Sequence, residues 1–173
     1  HDETIIGKYN FKLVNEMLER FRDPGLRNLS YTAMIRWVFV RSHKAARDIV
    51  IYATHGFGAS KYEGGSINAL MSIGKDFDAD IFLGGHVHKK IGVDKDQLFI
   101  TRGGQTKLRE RKKIYGITGT FYKGYETSSV SYIERKGYPP TPTGVIKIFI
   151  QPFREKKENG HQVDLPPHIH IAE

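Results

Sequence analysis

The chain is 173 residues long, enough for one domain that buries its own core, and its 39% hydrophobic and 12% aromatic content is that of a globular protein. It has no cysteine, which excludes disulfides, thiolate metal sites and a cysteine nucleophile and leaves histidine and carboxylate to hold any metal. A formal charge of +8 and a pI near 9.6 favour a phosphate-bearing partner, and no apolar run reaches the ~20 residues that span a bilayer, so no membrane role is expected.

The start, HDETIIGKYN, has neither the basic and apolar regions of a secretory leader nor an initiator methionine. It reads as a cut end, and with the absence of cysteine it suggests a cytoplasmic protein. From Asn10 to Arg22, Val14, Met17, Leu18 and Phe21 fall at helical spacing, and Asp23-Pro24-Gly25 ends that helix. Ile35–Val40 and Asp48–Thr54 are short, β-branched and aromatic runs bounded by polar residues, as strands are. After Gly64-Gly65, Ile67, Leu70, Met71 and Ile73 predict a short helix with Ser66 as its N-cap. Asp80–Leu83 is a near-continuous apolar run, as expected of a strand buried on both faces. Strand, helix, strand in that order predicts a parallel pair with a right-handed crossover.

Beyond Lys90 the pattern turns β-rich, with strands expected at Gln97–Thr101, Lys113–Thr120, Val145–Phe153 and around Ile169 and Ile171. The basic blocks Lys107–Lys113 and Arg154–Glu158 mix in acids and read as solvated hairpins or loops. Tyr122–Gly137 and the following Tyr138-Pro139-Pro140-Thr141-Pro142 read as an extended loop. Tyr115, Phe121, Tyr122, Tyr125, Tyr132 and Tyr138, set among lysines and arginines, either stack bases or pack a strand and loop.

Three of the eight histidines sit where chemistry needs them. His55 follows one expected strand, and His86 and His88 follow the next in the run GGHVH. Ligands of open α/β sheets lie just outside strand carboxyl ends, so two neighbouring parallel strands deliver these rings to one place. Gly84 and Gly85 suit a tight turn beside a ligand. An H-x-H pair by itself is often an ordinary strand, and His168-Ile169-His170, in a proline-flanked tail, reads that way. His43 and His161 lie in polar surroundings and read as exposed.

The order His1-Asp2, Thr54-His55-Gly56, Gly85-His86-Val87-His88 resembles the last three blocks of the calcineurin-like metallophosphoesterase signature. The resemblance implies an α/β fold, the C-terminal part of a four-layer α-β-β-α sandwich with mixed sheets. It implies a single domain over 1–173 that lacks its N-terminal metal-binding segment, because the family's Asp, His, bridging Asp and Asn ligands have no match in this sequence.

By the same resemblance His55 and His86 hold one metal and His88 the other, His1 donates a proton to the leaving group or stabilises the phosphate, and Asp2 orients His1. The implied cofactors are two divalent ions, manganese first, with zinc, iron or nickel as alternatives. The implied function is a phosphoester hydrolase, a phosphatase or a phosphodiesterase or nuclease, that uses a metal-activated water. Its substrate bears phosphate, nucleotides and nucleic acids included. Two other classes fit the composition: a nucleic-acid-binding module without catalysis, and an inactive structural relative.

Overall fold

The computed structural model describes residues 29–43, 45–56, 62–101, 106–125, 130–158 and 161–172, together with Glu16, Glu19 and Arg20. His1, Asp2 and all but those three residues of the helix expected at Asn10–Arg22 lie outside the described residues; the three are helical. Two compact units divide the chain, His1–Ala33 and Met34–Glu173.

A mixed five-stranded sheet organises the second unit. Its strands are β1 (Thr32–Ser42), β2 (Ala45–Thr54), β3 (Ile81–Gly84), β4 (Ile91–Ile100) and β5 (Leu108–Ile117), in the spatial order β1-β2-β3-β5-β4. β2 runs parallel to β3 and β3 parallel to β5, while β4 returns antiparallel to β5. The parallel β2–β3 pair expected from the strand–helix–strand pattern is present, joined through helix α1 (Glu63–Asp76).

The three parallel strands are apolar at consecutive positions because both faces of the sheet are covered. Tyr52, Phe82, Tyr115 and Ile117 point to one face and meet Ile67 and Leu70 of α1. Ile49, Ile51, Ile81 and Ile114 point to the other, where Ile169 and the flanking Ile148, Ile150 and Ile171 cover them. Those isoleucines come from β6 (Lys147–Gln151) and β9 (His168–Ala172), which pair antiparallel as a second sheet. The described residues thus build three layers: helix, five-stranded sheet, two-stranded sheet. The class is α/β, with few helices.

Phe82 is wholly buried, and its ring stacks on Tyr115 at a centroid distance of 4.9 Å. Removing such a side chain from water contributes about 1.5–3 kcal/mol. α1 approaches this face closely because Gly74 lacks a side chain; a Cβ there would stand 2.4 Å from the Tyr115 hydroxyl.

Three expectations need correction. Ser66 is not the N-cap of α1: the helix begins one turn earlier, with Tyr62 in the extended cap position, and Ser66 is buried against the sheet. The block Lys107–Lys113 leads into and forms the first part of β5 in the β4–β5 hairpin: its residues 107–110 are exposed, as a solvated hairpin has them, but Arg111 and Lys113 are not. Its cations find partners across strands: Lys112 Nζ lies 2.7 Å from Asp94 and 3.8 Å from Asp96. Arg111 Nε lies 2.9 Å from Asp80, and Arg111 also bonds Asp78. Lys113 is buried, its ammonium donating to the Gly74 carbonyl at 3.0 Å. Within Tyr122–Gly137 there is one helical turn, α2 (Tyr132–Arg135), held by a capping box in which Ser131 and Glu134 bond each other's backbone N–H.

Arg154–Glu158 forms β7 and pairs with β8 (His161–Leu165) as a hairpin. His168 and His170 belong to β9, the ordinary strand expected of them, and the His170 ring stacks on Phe149. His43 is exposed. The aromatic residues of the 115–138 segment are committed differently from one another. Tyr115 is core, the Tyr122 hydroxyl accepts from the Tyr132 N–H, and the Tyr125 hydroxyl donates to the Tyr138 carbonyl. Tyr115 is therefore not a base-stacking ring.

Candidate functional site

β2 ends at Thr54 and β3 at Gly84, side by side in register. The ladder continues past both strands: the Gly85 N–H donates to the His55 carbonyl at 3.1 Å, and the Thr118 N–H donates to the Gly84 carbonyl at 2.9 Å. Three chain segments leaving three neighbouring strands are thereby fixed backbone to backbone, and two of them carry histidines.

The contact is close because glycine occupies both sides of it. Gly56 adopts φ +98, a region L side chains rarely enter, and a Cβ there would lie 2.4 Å from the Gly85 carbonyl oxygen. At Gly85 a Cβ would lie 2.9 Å from the His55 carbonyl oxygen. Just beyond, His86 and His88 both have positive φ, 69 and 55. Histidine enters the left-handed region more readily than most residues, but two such positions in three residues store backbone strain of the kind concentrated at functional sites.

The result is a pair of imidazoles: His55 Nε2 and His86 Nδ1 stand 3.1 Å apart, with ring centroids at 5.1 Å. Two nitrogens bound to one ion in neighbouring positions stand roughly 3.0–3.4 Å apart when each bond is near 2.1 Å. The pair thus fits two adjacent positions on a single cation. The same spacing lets one neutral ring donate to the other.

His88 is exposed two residues on. Among the described residues no group of three or more His, Asp or Glu side chains is arranged to hold a metal ion. His1 and Asp2 lie outside the described residues. The sequence pattern singled out the histidines and included Gly56 in the Thr54-His55-Gly56 block, but its close approach to Gly85 shows only in the fold.

Partial burial, and then the neighbouring His86 and His88 charges, lower the pKa of His55 below the usual imidazole value. The ring is therefore neutral around neutral pH. His168 is lowered as well, by burial and then by Arg154 and His170. A base with a lowered folded-state pKa binds protons better unfolded, so stability falls as pH drops below the unfolded value near 6.5. The metal-free chain is expected to show a lower urea midpoint at pH 5.0 than at pH 7.5, and His55→Gln should flatten that difference. A midpoint that rose on acidification would contradict this reading.

Beneath the pair lies a small cavity of about 20 Å³, lined by Thr54, Gly56, Ser66, Leu70, Gly84 and Gly85. It has room for about one water molecule, and the buried Ser66 hydroxyl that faces it has no hydrogen-bond partner. No helix among the described residues is long and apolar enough to cross a membrane. No family model, no curated protein and no solved structure matches the chain, so the functional case rests on the geometry of its own residues.

Proposed function

We propose that the chain belongs to a metal-dependent phosphoester hydrolase, a phosphatase or a phosphodiesterase or nuclease, in which His55 and His86 share one divalent cation. The observation that carries this reading is the 3.1 Å approach of His55 Nε2 to His86 Nδ1 at the carboxyl ends of adjacent parallel strands. Strand-end placement is where ligands of α/β sheets lie, and the Gly56–Gly85 contact holds both rings in place.

His55 and His86 would hold the divalent cation, which would supply Lewis acidity and a water of lowered pKa. His55 contributes a nitrogen donor that its lowered basicity keeps neutral at neutral pH, and His86 would supply the second nitrogen. His88, by the resemblance, serves a second cation, manganese first, with zinc, iron or nickel as alternatives. His1 then protonates the leaving group or steadies the phosphate, and Asp2 orients His1. The charge of +8 draws anionic substrates to the molecule. The mixed five-stranded sheet, covered by a helix on one face and a two-stranded sheet on the other, is compatible with part of the α-β-β-α sandwich that the resemblance implies.

Titration with manganese or zinc, followed through the histidine resonances, tests the reading. Saturable binding should perturb His55 and His86 together. His86→Ala should weaken it by at least about 30-fold, within the range that loss of even an outer-sphere partner produces. His43→Ala, at an exposed turn away from the pair, should leave affinity unchanged. Manganese-dependent hydrolysis of an aryl phosphate ester, abolished by chelator, is the matching activity. Equal affinity in wild type and His86→Ala would remove the basis of the proposal.

A further inference from the structure

β1 forms one edge of the five-stranded sheet, and among the described residues no strand pairs with its outer side. At 11 residues it is the longest described strand. An unpaired edge offers a row of backbone N–H and C=O groups to any strand that reaches it, and monomeric proteins blunt such edges with short strands, lysine or proline. β1 uses none of these means: its sequence TAMIRWVFVRS holds no lysine and no proline.

Its side chains suit an apolar contact. Met34, Val38 and Val40 each expose half or more of their surface, and Trp37 is half-exposed. Alternation puts the first three on one face and Trp37 on the other, beside Ile35 and Phe39, which pack on the core. The Trp37 ring is already placed, edge-on to Phe39 at a centroid distance of 6.4 Å. The two arginines of the strand are committed to carboxylates: Arg36 Nε lies 2.8 Å from Asp48, and Arg41 bonds Glu155. This edge is therefore fitted to another apolar strand and not to a polyanion.

The strand is complementary to itself. In a two-fold interface residue i faces j and j faces i, and the antiparallel register that uses all of β1, with Thr32 facing Ser42, puts Trp37 on the axis. That register sets Met34 against Val40, Ile35 against Phe39 and Arg36 against Val38, so apolar groups meet and no charge directly faces its like. Moving the axis to Arg36 would set that arginine against itself, and moving it to Val38 would shorten the pairing. We propose that β1 pairs antiparallel with β1 of a second copy of this chain about a two-fold axis at Trp37, joining two five-stranded sheets into one. The contact uses neither metal nor the histidine pair. Each copy carries a charge of +8, so apolar burial and main-chain bonds work against a repulsion that salt screens.

The test is sedimentation equilibrium of the full chain in EDTA over a concentration series, with fluorescence read alongside. Trp37 is the sole tryptophan, so its emission reports on this strand. The expected result is a reversible monomer–dimer equilibrium that tightens with added salt, with emission shifting to the blue as dimer forms. Val38→Lys would meet Arg36 of the second copy with a like charge, twice per dimer, and should weaken association at least about tenfold. Val38→Glu would meet the same arginine with the opposite charge and should stay within about threefold of wild type. Both change an exposed side chain, so both should fold. Leu98→Lys, exposed on β4 at the opposite edge of the sheet, should leave association unchanged. The proposal is overturned by a chain that stays monomeric, as it would if the edge served a foreign strand, by a dimer that correctly folded Val38→Lys leaves intact, or by equal weakening in Val38→Lys and Val38→Glu.

Discussion

Gly56→Ala is expected to lose about 4 kcal/mol of stability, the sum of a left-handed backbone forced on a side chain and a collision that cannot be turned away. The new Cβ would stand 2.4 Å from the Gly85 carbonyl oxygen and 2.9 Å from its carbon, both main-chain atoms. Relief requires the two segments to separate, which breaks the 3.1 Å bond from the Gly85 N–H to the His55 carbonyl. With a urea slope of about 2 kcal/mol per molar, the midpoint should fall by roughly 2 M. Gly64→Ala is the control. A Cβ there meets nothing within 4 Å, and its place within α1 predicts a gain of about 0.5–1 kcal/mol from the stiffer unfolded-chain reference. A Gly56→Ala midpoint within experimental error of wild type would mean that the strand tips are not locked together, and the histidine pair would lose its scaffold.

The histidine pair was legible because its signals are local. A strand-like run, a histidine and a glycine follow one another in Thr54-His55-Gly56, and a second apolar run leads into Gly84-Gly85-His86. Strand alternation and glycine placement carry that information within a few residues. The 3.1 Å approach itself needed the register of β2 against β3, which no single segment encodes.

The basic block Lys107–Lys113 shows the opposite case. Its charges suggest solvent, yet Lys113 is buried and Arg111 sits between two strands. The carboxylates that make this tolerable, Asp78, Asp80 and Asp94, lie 33, 31 and 18 residues away along the chain. Only the pairing of β3 and β4 with β5 brings them together, so local composition was right about the exposed residues 107–110 and wrong about Arg111 and Lys113. Ser66 misled for a related reason. Serine before an apolar run looks like a cap, but the helix starts at Glu63 and places Ser66 on its buried face. Ser131 and Glu134, by contrast, form the S-x-x-E pattern of a capping box, a sequence signal for α2 that the tyrosine-rich composition around it hid.

Asp80→Ala is expected to lose about 2–3 kcal/mol, because one carboxylate serves two groups at once, a backbone N–H and a guanidinium that keeps only Asp78 without it. Its Oδ2 accepts the Val50 N–H of β2 at 2.8 Å, and its Oδ1 accepts Arg111 Nε of β5 at 2.9 Å, with the Asp80 side chain only 15% exposed. Burial opposes the charge on Arg111; Asp80, and then Asp78, more than offset that and raise its pKa above the usual value. Removing the carboxylate leaves the half-buried guanidinium with Asp78 alone and takes its acceptor from the Val50 N–H. Asp80→Asn retains an acceptor for Val50 and should lose roughly half as much. Arg111→Met in the Asp80→Ala background should recover part of the loss, since an apolar side chain no longer needs a counter-charge, while the orphaned Val50 N–H prevents full recovery. A double-mutant cycle by urea unfolding should give a coupling of at least about 1.5 kcal/mol. Strict additivity would show that the 2.9 Å pair is a surface contact of no consequence.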